Sequence, residues 1–181
     1  NIGDVLLTSP MATALGTLPE KPQVTFLVKK GTEEMLTGHP DIHAVLTLPE
    51  RNKDEGTLAF FARQWRFIHN LRSNKFDVSI NTTEGDRGLI IGWLSGAKKR
   101  IGYLKDNTRE KWWRKYLLTD PKPSRSGRFH TVLRNLDLIA DWVKPTDIRV
   151  SFHYTPADEQ TVIEKLKQAG WDGKKPLVHI H

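Results

Sequence analysis

The strongest constraint on this chain is an alternation. Short apolar, β-branched runs recur along it, and segments with helical spacing fill the gaps. The runs 24–28 (VTFLV), 44–48 (AVLTL), 77–81 (DVSIN) and 100–103 read as buried strands. Between them, 6–18, 33–36, 57–71, 87–94 and 128–142 read as helices. The segment 57–71 carries apolar residues at 58, 60, 61, 65, 68 and 71, and 128–142 places Val132, Leu133, Leu136, Ile139 and Ala140 on one side. Strands that alternate with helices predict an α/β fold with a parallel sheet covered on both faces. The texture changes after Trp142. Residues 144–155 are polar and extended, and Thr155-Pro156-Ala157-Asp158 opens a further helix that Gly170 stops. The run 177–181 (LVHIH) reads as a strand that continues past His181. The same alternation calls for a strand ahead of Ile2-Gly3-Asp4.

Charge is placed unevenly. The 181 residues hold 28 Lys or Arg against 21 acids, a net +7. Residues 98–134 alone hold 12 basic residues against 3 acids, a net +9, so the rest of the chain is slightly acidic. That segment also carries Tyr103, Trp112, Trp113 and Tyr116. A concentrated basic stretch implies an anionic partner: nucleic acid, a phosphorylated substrate or an acidic membrane surface. Its plainer alternative is a solvated basic loop. No cysteine is present, which excludes disulfides and thiolate metal sites and is compatible with a reducing compartment. No run approaches the roughly 20 apolar residues of a membrane span.

Three clusters carry possible chemistry. Gly3-Asp4 stands at a helix mouth. In an open α/β sheet, ligands bind beside helix N-termini at the carboxyl ends of strands. Glycine lets a substrate approach the backbone, and a carboxylate there can take a proton from a substrate hydroxyl as a general base. The alternative role for Asp4 is an N-cap. The second cluster, 81–88 (NTTEGDRG), follows the strand DVSIN and faces the same edge; Glu84, Asp86 and Arg87 are its candidates. Arg87 suits phosphate or carboxylate because its guanidinium is a planar fork, and the alternative is a turn with a capping acid and an ion pair. The third cluster, 125–130 (RSGRFH), places Arg128 and His130 at the N-terminus of a helix, which attracts anions; the alternative is a flexible basic linker. His39 and His43 flank a Pro-Asp turn, and His179 and His181 alternate on one strand face without a third ligand at metal spacing. Neither GxGxxG nor GxxxxGK[ST] occurs, so neither nucleotide-binding signature is visible.

Taken as a set, several stretches resemble the heptosyltransferases of glycosyltransferase family 9. They are 2–10 (IGDVLLTSP), 38–42 (GHPDI), 76–88 (FDVSINTTEGDRG), 95–103 (SGAKKRIGY), 112–115 (WWRK) and 129–139 (FHTVLRNLDLI). TEGDRG and WWRK look most like the type III enzymes, which add the branching third heptose of the lipopolysaccharide inner core. The resemblance implies the N-terminal half of a GT-B glycosyltransferase, a Rossmann-like parallel sheet with helices on both faces. Residues 1–150 would form the acceptor-binding domain, lacking its first strand, and residues 151–181 the linker helix and first strand of the donor-binding domain.

The implied reaction is inverting transfer of heptose from ADP-L-glycero-D-manno-heptose, with Asp4 as base and no cofactor beyond the donor; the resemblance leaves a divalent-metal requirement open. The implied partners are that donor, a phosphorylated lipid A–core acceptor and the anionic inner membrane, with no nucleic acid; the implied location is cytoplasmic, peripheral on the inner membrane. By position, the substrate-binding candidates are Gly3, Glu84, Asp86, Arg87, Arg109, Lys111, Arg128 and His130. Three readings compete. They are a family 9 transferase with another acceptor position or sugar, a basic nucleic-acid-binding module, and a non-catalytic membrane-surface protein of the same fold. The nucleic-acid module lacks a recognition motif.

Overall fold

The computed structural model describes residues 2–51, 54–104, 112–124, 130–144 and 148–178. Strands β1 (Thr25–Lys29) and β2 (Ala44–Leu48) pair in parallel, Thr25 opposite Ala44 through Lys29 opposite Leu48. Strands β3 (Val78–Asn81), β4 (Lys99–Leu104) and β5 (Asp120–Pro123) form a second parallel sheet in that order. Helices α3 (Thr57–Ser73), α4 (Asp86–Leu94) and α5 (Arg114–Leu117) lie in the crossovers, and a 3₁₀ turn (Glu33–Leu36) separates β1 from β2. Parallel pairing throughout means that, in each sheet, the carboxyl ends of the strands share one edge.

The opening segment is not one helix. It divides into α1 (Ile2–Leu6) and α2 (Pro10–Gly16). Pro10 has no N–H to continue the ladder. Thr8 and Ser9 turn their hydroxyls back onto the carbonyls of Asp4 and Leu6, at 2.7 and 2.9 Å. Between the helices the backbone bonds tighten to three-residue spacing, as in Thr8 N–H to Val5 O and Ser9 N–H to Leu6 O.

One core joins the pieces. Met11, Ala14 and Leu15 of α2 pack with Ile101 and Tyr103 of β4 and with Val132 and Leu136 of α6 (Thr131–Asp137). Val24 beside β1 and Ile80 of β3 pack against the same cluster, so it bridges the two sheets. The opposite face of β3 is covered by α4. Gly88 and Gly92, one turn apart, make that approach possible: a Cβ at Gly88 would lie 2.3 Å from Asn81 Oδ1, and one at Gly92 would lie 2.8 Å from Ser79 Oγ. Helices therefore cover β3 on both faces, as the alternation predicts.

Three expectations change. Helix α6 ends at Asp137 and gives way to turns; within it Leu133 faces solvent and Asn135 the core, and beyond it Ala140 is exposed and Leu138 buried. Strand β5 (DPKP) was not foreseen. In the C-terminal stretch, α7 (Pro156–Gln168) begins with a Thr155–Asp158 capping box, but Leu177 and Val178 are exposed and outside any strand. The remaining residues of that run, His179 and His181 among them, lie outside the described residues.

Candidate active site

Asp4 sits in the first turn of α1, and both it and Gly3 are exposed. It is not the cap of the buried helix that follows, because Ser9 occupies that position for α2. Its backbone is held from a distance. Asn135, buried on α6, donates Nδ2–H to Thr8 Oγ1 at 2.9 Å, and Thr8 Oγ1 donates to the Asp4 carbonyl at 2.7 Å. The same peptide segment is closed by Leu7 N–H on Gly3 O at 2.8 Å. The backbone that carries the Asp4 carboxylate is thereby held, through Thr8, by a residue 127 positions beyond Thr8.

The loop after β3 is braced from two sides. Asn81 folds it: its Oδ1 accepts from the backbone and hydroxyl of Thr83, and its Nδ2 donates to Thr83 O. Glu84 accepts from Arg134 Nη1 at 3.3 Å and from Ser124 at 3.1 Å. Asp86 accepts from buried Arg114 at 2.6 Å, and Arg114 Nη2 also donates to the Glu84 carbonyl at 2.9 Å. Glu84 and Asp86 are thus engaged within the protein, where they shape the loop. Arg87 points elsewhere. It is exposed, and it donates to the carbonyl of Pro49 at 3.1 Å, linking the loop after β3 to the loop after β2. There it borders a groove of about 450 Å³ whose lining includes Lys30, Pro49, Arg51 and Arg63 and one acid, Glu50. Arg63 is committed to Glu55 at 2.5 Å and to the Glu50 carbonyl.

Helix α6 organises both halves. Its N-cap is His130, whose Nδ1 accepts from Val132 N–H at 3.3 Å, which places the ring proton on Nε2. Arg134 grips Glu84, and its carbonyl accepts from the Tyr103 hydroxyl. The next residue, Asn135, holds Thr8 and through it Asp4. Two adjacent residues of one helix therefore hold the turn that follows α1 and the loop between β3 and α4. Sequence reasoning missed Thr8, Arg114, Arg134 and Asn135. The signal available was the buried polar residue itself, an asparagine in an otherwise apolar helix face. Arg109, Lys111 and Arg128 lie outside the described residues. Among the described residues no three His, Asp or Glu side chains group to hold a metal ion, and no helix is long and apolar enough to cross a membrane.

The fold is that of the N-terminal half of a GT-B glycosyltransferase of family 9. A family 9 glycosyl transferase from Veillonella parvula superposes with a TM-score of 0.77 over 94% of this chain and 48% of that one, at 13% identity. The Escherichia coli ADP-heptose lipopolysaccharide heptosyltransferase II superposes with a TM-score of 0.66 over 97% of this chain and 50% of that one, also at 13% identity. In sequence, the chain is 25% identical over 169 residues to lipopolysaccharide heptosyltransferase 3 of Escherichia coli, covering 93% of this chain and 48% of the relative. The resemblance to family 9 heptosyltransferases thus holds in sequence as well as in fold. The chain spans about half the length of each of these relatives. No family model matches it.

Proposed function

We propose that this chain is the acceptor-binding half of an inverting glycosyltransferase that moves heptose from ADP-L-glycero-D-manno-heptose to the lipopolysaccharide inner core, as its third heptose. Residues 1–150 form the acceptor-binding domain, and residues 151–181 open the donor-binding domain. The observation that carries this reading is the placement of Asp4: an exposed carboxylate whose backbone is pinned through Thr8 by a buried asparagine. The sequence similarity to heptosyltransferase 3 supports the choice of sugar and acceptor.

In the reaction, Asp4 takes the proton of an acceptor hydroxyl. The freed oxygen attacks the anomeric carbon of the donor heptose from the face opposite ADP. The bond from that carbon to the ADP phosphate oxygen breaks, and ADP departs with the electron pair. Configuration inverts because one displacement occurs. The acceptor is phosphorylated, and Arg87, Lys30 and Arg51 along the groove supply cations for its phosphates. Gly3 leaves room for the acceptor beside the base, and His130 offers an Nε2–H donor at the mouth of α6. The enzyme works at the cytoplasmic face of the inner membrane, where such an acceptor is held.

The test is acceptor-dependent ADP release by the full-length enzyme, with ADP-heptose and a core acceptor lacking the third heptose. Asp4→Asn is expected to lose about 10²–10⁴-fold in kcat, the usual scale for a positioned base. Unchanged release in the variant would remove Asp4 from the chemistry. No release from the folded wild-type enzyme would overturn this acceptor and donor.

A further inference from the structure

Helix α3 is apolar on two faces, and among the described residues only one of them is covered. At about 100° per residue, Phe60, Phe67 and Leu71 point inward, while Leu58, Phe61 and Trp65 point roughly 130° away from them. Leu71 is 5% exposed, but Leu58 is 86%, Phe61 63% and Trp65 76% exposed. The outer stripe runs into α4. Phe61, Trp65, Ile68 and Leu94 line a groove of about 500 Å³ between the two helices, and Ile90 and Trp93 continue the surface at 40% and 52% exposure. Scattered exposed apolar residues are ordinary, but a contiguous patch of this kind marks an interaction surface.

The charges on α3 itself have one sign. The 17 residues of α3 include Arg63, Arg66, Arg72 and no acid. Arg63 lies on the other side and is paired with Glu55. Arg66 and Arg72 are exposed beside the stripe, Arg72 adjoins Gly96 at the end of α4, and Lys98 follows, also exposed. Tryptophan, phenylalanine and leucine flanked by arginine and lysine form the composition that settles at the boundary between lipid headgroups and acyl chains. A protein interface shares the aromatics and the arginines but is depleted in lysine; Lys98 beside the patch and the lack of any acid along α3 favour an anionic lipid surface.

We infer that the α3–α4 face is a membrane-docking surface, on which Trp65, Trp93, Phe61 and Leu58 enter the interface of an anionic bilayer while Arg66, Arg72 and Lys98 engage its headgroups. This rests on the proposed function only for the idea that the acceptor is held in a membrane, and it places the contact on α3 and α4, taking from the basic segment 98–134 Lys98 alone. The test is co-sedimentation of the full-length chain with vesicles of phosphatidylcholine alone and of phosphatidylcholine with one-third phosphatidylglycerol, without donor or acceptor. The wild type is expected to bind the anionic vesicles and to lose binding at high salt. Trp65→Ser/Trp93→Ser and Arg66→Glu/Arg72→Glu are each expected to weaken it about tenfold or more. All four residues are exposed, and circular dichroism checks that the variants fold.

Equal binding by both variants and the wild type would overturn the inference. So would a vesicle-independent dimer that Trp65→Ser/Trp93→Ser breaks, or protection of Trp65 from a soluble quencher in the full-length chain without vesicles. ADP release from a water-soluble acceptor fragment separates this result from the transferase reading. That activity is expected to survive in the docking variants and to fail in Asp4→Asn.

Discussion

Thr8 carries a burden that its place in a turn does not advertise. Its hydroxyl accepts from Asn135 and donates to the Asp4 carbonyl, so one oxygen couples a buried helix to the proposed base. Serine can make the same two bonds, and valine can make neither. Thr8→Ser is therefore expected to keep near wild-type kcat, and Thr8→Val to lower kcat about tenfold or more with KM little changed, since small misplacements of a catalytic group cost rate. Thr8→Val also leaves the buried Asn135 amide without its acceptor, at a stability cost of about 1–3 kcal/mol. Steady-state kinetics at saturating acceptor, beside a denaturation curve, would check both parts. Equal kcat in the two variants would show that the relay does not position Asp4.

At the scale of elements, α4 depends on what it lacks. Gly88 faces Asn81, whose amide oxygen and nitrogen both bond Thr83 in folding the loop after β3. A methyl at Gly88 would meet both Oδ1 and Cγ of Asn81, within 2.3 and 2.8 Å, so Asn81 cannot simply swing aside. Alanine gains about 1 kcal/mol of helix propensity, but overpacking typically costs 1–3 kcal/mol. Gly88→Ala is expected to destabilise by about 1–2 kcal/mol net, read from the urea midpoint, and to weaken acceptor binding because Arg87 rides on the displaced first turn of α4. A midpoint at or above that of the wild type would show that α4 can shift outward at no cost.

Elements of this kind were the legible part of the molecule. The run 44–48 is β2 to the residue, because a short β-branched run bounded by turn residues has one good solution. Strand β5 escaped notice because Pro121 and Pro123 remove two ladder donors and its sequence is polar, a composition tolerated at a sheet edge. The spacing of 58, 61 and 65 is helical but does not say which apolar stripe is buried. In the site, Asp4 and Arg87 were legible from strand-end loops. Arg114, Arg134 and Asn135 were not, because their partners lie 28, 50 and 127 positions away and only the folded chain brings them together.

At the scale of the whole molecule, the segment after residue 148 is fastened to the N-terminal part by a pair of histidines. His39, in the turn after the 3₁₀ helix, is buried, and its ring meets His153 edge to face at 5.0 Å. His39 Nδ1 accepts from Asp41 N–H at 3.2 Å, and Nε2 faces Thr13 of α2 at 3.5 Å. This geometry requires a neutral ring. Burial, then the neighbouring His153, hold the His39 pKa below its ordinary 6.5, while Asp41 opposes them. Asp41 and His153 are the titratable groups that face it. Because the folded value is depressed, the unfolded chain takes up the proton first as pH falls. The stabilisation is complete above about pH 6.5, the unfolded value, and declines as pH drops toward the folded pKa. Protonation also sets an N–H against the Asp41 N–H and a cation against His153, so it loosens the hold on the segment that leads into α7. The Tm of the wild type is expected to fall more steeply than that of His39→Gln as pH is lowered from 7 to 5. An NMR titration should place the His39 midpoint below 6.5 and move the Ser151 and His153 amide signals with the same midpoint. Parallel Tm curves would detach the pH response from His39. A His39 midpoint above 6.5 would mean that Asp41 outweighs burial, and the segment would then tighten in acid.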